Sequence, residues 1–233
     1  NILKEHYQMY ILDVLFNSSF ANELVFKGGT ALRLAYGSFR FSEDLDFSLF
    51  GISHRERKSF VEKLFVHVLA EIERIGIKVE VGEKIGITNG GYLGVATFRI
   101  FEYPPVNVRI NISSRNGRNV IGEVDSISND FVPTYTIIHL PQNELEEEKI
   151  FSALRQRRKP RDFYDLYFIM RKGMFTPDQK KRLSKVKEEV IVDAKKIDFR
   201  KELGAFLPVS QHDIIRDFPA ILERELNRQL ASM

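Results

Sequence analysis

A strand carrying two carboxylates, set one short segment after a glycine pair, constrains this chain more than any other feature. Residues Phe26-Lys27-Gly28-Gly29-Thr30-Ala31-Leu32-Arg33 run from an apolar stretch through two glycines and a hydroxyl into helix-like sequence. Arg40-Phe41-Ser42-Glu43-Asp44-Leu45-Asp46-Phe47 follows closely and reads as a strand. Residues two apart on a strand share a face, so Asp44 and Asp46 lie side by side while Leu45 and Phe47 turn towards a core. Neighbouring carboxylates repel unless a cation sits between them. A Mg²⁺ ion that also holds substrate phosphates suits such a pair. The Gly-Gly-Thr turn exposes backbone N–H groups at a helix start, where phosphate oxygens are well received. A glycine pair alone is often a tight connection, and an Asp-x-Asp alone is often a solvated edge. Their conjunction points to phosphoryl or nucleotidyl transfer.

The totals set outer bounds. A chain of 233 residues with 43% hydrophobic and 29% charged residues is long enough for one large domain, or a core with a helical appendage. The absence of cysteine rules out disulfides and thiolate metal sites and fits a reducing, cytoplasmic setting. No apolar run approaches a membrane span, and Asn1-Ile2-Leu3-Lys4-Glu5-His6 does not read as a secretory signal. A net charge of +3 does not by itself imply nucleic-acid binding.

Apolar periodicity predicts a helix over 2–16, a short strand over 24–27, a brief helix over 30–36 ended by Gly37, and a strand over 44–50. Ser53 reads as the cap of a long helix with Phe60, Leu64, Val68 and Ile72 on one face, ended by Gly76. Strands are expected over 77–81, 92–101, 106–113 and 135–140, with Asn89-Gly90-Gly91 as a hairpin turn. In 106–113 the residues Asn107, Arg109, Asn111 and Ser113 form a polar face opposite Val108, Ile110 and Ile112. From Pro141 onward helices are expected over 142–157, 162–171, 177–192 and 213–230. The expected architecture is therefore an α/β (α+β) core over 1–140, a mixed curved sheet flanked by helices, and a helical half over 141–233 completing a cleft. The acidic group Glu144, Glu146, Glu147 and Glu148 reads as a solvated first turn favoured by the helix dipole. His54, His67 and His212 show no metal-ligand spacing, and no serine has a partner base in sequence.

Lys-Gly-Gly-Thr-Ala-Leu over 27–32 and Arg-Phe-Ser-Glu-Asp-Leu-Asp-Phe over 40–47 resemble the opening motif of nucleotidyltransferases of the DNA polymerase β type, and more closely the AbiEii/AbiGii toxin family. A second block resembles the same family: Lys149-Ile150-Phe151-Ser152-Ala153-Leu154, Arg158, and Arg161-Asp162-Phe163-Tyr164-Asp165-Leu166. The resemblance implies metal-dependent transfer of a nucleotidyl group from an NTP to an RNA or tRNA 3′ end, or to a protein hydroxyl, by a toxin with an antitoxin partner. Two other readings stand beside it: an enzyme that adenylylates a partner toxin, and a catalytically impaired nucleotide-binding module.

Carried onto this chain, the resemblance makes Asp44, Asp46, Lys149 and Asp162 catalytic, with Asp165 a further candidate. Lys27, Gly28, Gly29, Thr30, Arg33, Ser42, Lys149 and Arg161 would hold the nucleotide. Asp44, Asp46 and Asn111 would hold Mg²⁺ or Mn²⁺. Two departures stand out. Three residues separate Lys149 from Ala153 where the family commonly has two, and one extra residue turns a helical side chain by about 100°. Arg109-Ile110-Asn111 stands where the family often reads Lys-x-Asp; an amide keeps an oxygen but accepts no proton. Blander roles are a Lys149–Glu146 pair along one helix, an Arg161–Asp165 ion pair, and an Asn111 that simply bridges strands.

Overall fold

The alternation of apolar and polar side chains decides the sheet. In strand β2 (Asp44–Leu49) Leu45 and Phe47 are fully buried, while Asp44, Asp46 and Ser48 are half-buried on the other face. Strand β6 (Val106–Ser113) repeats the pattern, with Val108, Ile110 and Ile112 inside. The computed structural model describes residues 1–81, 86–88, 90–99, 103–114 and 120–231. The expected Asn89-Gly90-Gly91 turn and the end of the strand expected over 92–101 fall partly outside them.

The described residues form two compact units, Asn1–Gly37 with Phe41–Pro141, and Ser38–Arg40 with Gln142–Met233. The first unit opens with helix α1 (Ile2–Phe16), then β1 (Leu24–Lys27), α2 (Gly28–Tyr36), β2 and α3 (Arg57–Arg74). It continues through β3 (Val79–Val81), β4 (Gly86–Thr88), β5 (Gly91–Phe98), β6, β7 (Glu123–Ile127) and β8 (Tyr135–His139). These strands make one open mixed sheet in the order β3-β5-β6-β2-β1-β8-β7, with β4 paired to β5. The pairs β2/β6 and β1/β8 are parallel, and the others are antiparallel. Helices α1 and α3 pack against each other and against the sheet. The core between them is mostly aliphatic with a few aromatic contacts, Phe26 and Phe47 rings 5.2 Å apart and Tyr7 stacked on Phe98 at 4.0 Å.

Several boundaries differ from the sequence reading. Helix α2 takes in both glycines and begins at Gly28, not Thr30. Ser53 starts a turn, its hydroxyl donating to Glu56, and α3 begins only at Arg57. Strands β4 and β7 were not expected. Both are exposed, as Ile87 (71%) and Val124 (64%) show, so neither carries the alternation that burial imposes on a strand.

The second unit is helical. Its first helix runs as α4 (Gln142–Glu146), a π-helical segment (Glu147–Leu154) and α5 (Arg155–Arg157). Then come α6 (Pro160–Arg171), α7 (Pro177–Ala194), α8 (Phe199–Phe206), α9 (Asp213–Arg216) and α10 (Phe218–Leu230). The single helix expected over 213–230 breaks at Asp217, because Pro219 lacks the N–H to continue it and restrains the residue before it. Helix α8 was not expected, although Asp198 caps it and Phe199 and Leu203 lie one turn apart, both buried. Phe163, Phe199 and Phe218 form the aromatic centre of this unit. Among the described residues no helix is long and apolar enough to cross a membrane.

Glu146 corrects the picture of a solvated acidic turn. It is fully buried at the end of α4, and neither carboxylate oxygen has a hydrogen-bond partner. The Gln142 and Gln179 amides donate instead to the carbonyls of Met174 and Asn143. Burial raises the Glu146 pKa from 4.5 to about 7, and the two neighbouring amides offset this only in part. The folded state therefore binds this proton more tightly than the unfolded chain. Stability is full below about pH 4.5 and falls as pH rises towards about 7. The full difference is on the order of 3 kcal/mol. Glu146→Gln should raise the melting temperature at pH 8 while changing it little at pH 5. An equal change at both pH values would contradict this assignment.

Candidate active site

The first unit builds a carboxylate-and-amide site where β1 turns into α2 beside β2. Asp46 stands opposite Lys27 across the antiparallel β1/β2 pair, and opposite Asn111 across the parallel β2/β6 pair. The Asn111 Nδ2 group donates to Asp46 Oδ1 at 2.9 Å. Gly28 closes the other side. Its φ is +82°, a conformation only glycine adopts freely, and a Cβ added there would lie 2.2 Å from Asp46 Oδ2. The unbonded N–H groups of the first turn of α2 are thereby brought beside the Asp46 carboxylate, whose charge the helix dipole favours.

The surrounding side chains hold this arrangement. The Thr30 hydroxyl, fully buried, donates to the Asp44 carbonyl at 2.6 Å. A hydroxyl has one proton to give, so a phosphate contact from Thr30 would come from its backbone N–H. The buried Gln8 amide donates to the Ser42 carbonyl at 3.0 Å and fixes the approach to β2. Arg33, expected at the nucleotide, bonds both oxygens of Glu5 at 2.5 and 3.1 Å and lies over the Phe41 ring. It thus ties α2 to α1. Asn111, expected at the metal, donates its amide to Asp46, which corresponds to the strand-bridging role. Among the described residues no group of three or more His, Cys, Asp or Glu gathers as metal ligands. The carboxylates on this strand face are the pair Asp44 and Asp46, and Mg²⁺ is commonly held by one or two carboxylates with substrate phosphates completing its shell.

The second unit gathers a separate charged cluster. Lys149 lies in the π-helical segment and donates to Asp165 Oδ2 at 2.8 Å, not to Glu146. Arg40 bonds the same carboxylate through Nε and Nη2 at 2.9 and 3.0 Å. Asp162 is buried too, but it caps α6 by accepting from the Lys159 backbone N–H at 3.2 Å and pairs with Arg157 at 2.6 Å. Arg161 faces Glu202 at 3.7 Å, not Asp165. The residue that sequence reasoning left without a role is Arg40. It was visible within the Arg-Phe-Ser motif, but a partner 125 positions away leaves no local signature. The block that holds Lys149 runs through a π-turn, whose i→i+5 bonds enclose one more residue than an α-turn.

Comparison with known proteins gives the family and the fold. The family described as "Nucleotidyl transferase AbiEii toxin, Type IV TA system" matches residues 10–231. Two crystal structures share the fold. One is of a candidate nucleotidyltransferase from H. pylori, 19% identical, with a TM-score of 0.66, covering 99% of this chain and 95% of that one. The other is JHP933 from Helicobacter pylori, 22% identical, with a TM-score of 0.69, covering 99% of this chain and 92% of that one. No curated protein matches the sequence.

The approach of Gly28 to Asp46 yields a direct expectation. Gly28→Ala should cost at least about 1–2 kcal/mol from the left-handed backbone alone, and more from the clash with Asp46. Denaturant melting measures it, and an unchanged midpoint would show that the turn does not depend on glycine.

Proposed function

We propose that this chain, which belongs to the AbiEii family of nucleotidyltransferase toxins of type IV toxin–antitoxin systems, moves a nucleotidyl group from an NTP to an acceptor hydroxyl. The observation that carries the proposal is the close approach of Asp46 to the N-terminus of α2 at Gly28, with Asp44 on the same strand face. Asp44 and Asp46 fit a single Mg²⁺ or Mn²⁺, which would supply neutralising charge to the transferring phosphate. The backbone N–H groups of Gly28, Gly29 and Thr30 would receive phosphate oxygens, and Ser42 would add a hydroxyl donor before β2.

In the transfer, the acceptor oxygen bonds to the α-phosphorus, the bond from that phosphorus to the bridging oxygen breaks, and pyrophosphate leaves. The acceptor proton passes to a carboxylate of the Asp pair, because a neutral amide at Asn111 cannot take it. The acceptor would be an RNA or tRNA 3′ end or a protein hydroxyl, and family membership supports an antitoxin as binding partner. One observation favours a second reading. Asn111 donates to Asp46 where a third carboxylate would otherwise stand, which suits a module that binds nucleotide without turning it over.

Replacing Asp44 and Asp46 together by Asn should abolish metal-dependent NTP binding in a calorimetric titration. Stability should stay within about 1 kcal/mol, as expected for substitutions outside the core. Unchanged metal-dependent affinity would overturn the proposal. Binding by the native chain without product formation would favour the binding-module reading.

A further inference from the structure

Within the sheet unit, the two sides of the carboxylate pair differ. On the β1 side of β2 stand Lys27 and the Gly28 turn, and on the β6 side stand Arg109 and Asn111. Arg109 lies opposite Asp44 and Asn111 opposite Asp46 in the parallel β2/β6 pair, so the four share one face of the sheet. Arg109 is the only charged residue of β6, and the adjoining β5 carries none. Its neighbour across the β5/β6 pair is Val95. The polar residues on either side of it along the strand are engaged: Asn107 accepts from the Thr97 hydroxyl at 2.9 Å, and Asn111 donates to Asp46. Arg109 is exposed, and among the described residues its guanidinium makes neither an ion pair nor a hydrogen bond. Five N–H donors in a rigid fork therefore stand ready on the face that carries Asp44 and Asp46.

Displacement at phosphorus brings the attacking and leaving oxygens roughly into line. With the pyrophosphate oxygens at the N-terminus of α2, the leaving side is the β1 side, and the acceptor approaches over β6. We infer that Arg109 holds the acceptor there by binding the 5′-phosphate of its terminal nucleotide, so that the attacking hydroxyl belongs to a nucleic acid. The inference rests on the reading above that the chain transfers a nucleotidyl group at the Asp pair. A polynucleotide end carries a phosphate one sugar away from its terminal hydroxyl, whereas a serine, threonine or tyrosine hydroxyl brings no fixed charge. Arginine suits the task because its planar fork can grip two phosphate oxygens at once. Two acids lie near Arg109 in sequence and register. Glu43 pairs with Lys4 at 3.2 Å, and a divalent ion on the Asp pair would take up the charge of Asp44, which leaves the guanidinium to the acceptor.

The test uses the full chain with Mg²⁺ or Mn²⁺, α-labelled NTP and total RNA as acceptor, beside calorimetric NTP binding and the binding of a fluorescent single-stranded RNA. Arg109→Gln should raise KM for RNA about tenfold, the scale of one lost charge-assisted contact. Turnover at saturating RNA and affinity for NTP should change by less than about twofold. Arg109→Lys, which keeps the charge and loses the fork, should recover part of the loss. The salt dependence of RNA binding should weaken by one phosphate contact, a slope change of about 0.7 for a single strand. A folded Arg109→Gln variant with native KM for RNA overturns the inference. So does a larger loss for NTP than for RNA, which would seat the guanidinium at the triphosphate, and so does native label that enters protein alone. If Arg109→Gln does not fold, Arg109→Lys decides: a raised KM for RNA upholds the inference, and a native KM overturns it. Failure of the wider reading looks different, because no label then leaves NTP in the native chain or either variant. RNA affinity decides in that case: a loss of about tenfold in Arg109→Gln upholds the phosphate contact, and no loss overturns it.

Discussion

The register of β2 between β1 and β6 is the constraint on which the site depends. It sets Lys27 on one side of Asp46 and Asn111 on the other, and it turns Leu45 and Phe47 into the core. A slip of one residue would move both carboxylates inward and both apolar side chains outward. Burial of Phe26 against Phe47 therefore fixes the placement of the two carboxylates as firmly as it fixes the fold. The turn at Gly28 depends on the same register, because the space that a side chain would fill there is taken by the Asp46 carboxylate. Core packing, a left-handed glycine and the Asp46 carboxylate are thus one arrangement.

The helical unit solves a different problem, that of keeping ionised groups out of water. Its buried acids have three distinct environments. Asp165 is gripped by two cations, Asp162 by an arginine and a backbone amide, and Glu146 by nothing that donates to it. Removing one partner of a buried pair costs more than a surface pair ever contributes, so the three acids should respond to substitution quite differently. The π-helical segment that carries Lys149 belongs to the same economy of placement, since such turns occur mostly as short insertions in α-helices and often at functional sites.

What could be read from the sequence was whatever leaves a local pattern. Strands β2 and β6 show themselves by alternation, and α2 by its glycines and by Gly37. Strands β4 and β7 lie exposed and carry no such pattern. Helix α8 did leave a signal, a capping Asp198 with Phe199 and Leu203 one turn apart, but it is only a short stretch. The side-chain partnerships were the least legible. Thr30 and Arg33 stand where the motif puts them, yet one binds the β2 backbone and the other α1. Lys149 was expected at the nucleotide despite the extra residue of its block, and the structure shows it in a π-turn, bonded to Asp165. The pairing of Arg40 with Asp165 belongs to tertiary structure alone.

The central claim is that the Asp44–Asp46 face and the N-terminus of α2 act together in nucleotidyl transfer. The most direct measurement gives the purified chain Mg²⁺ or Mn²⁺, an RNA pool and NTPs labelled at either the α- or the γ-phosphate. The account predicts that α-label enters RNA or protein, that γ-label leaves as pyrophosphate, and that both signals vanish when Asp44 and Asp46 are replaced. Incorporation of γ-label would make the reaction a phosphoryl transfer and contradict the account, and so would α-label transfer that persists without the two carboxylates.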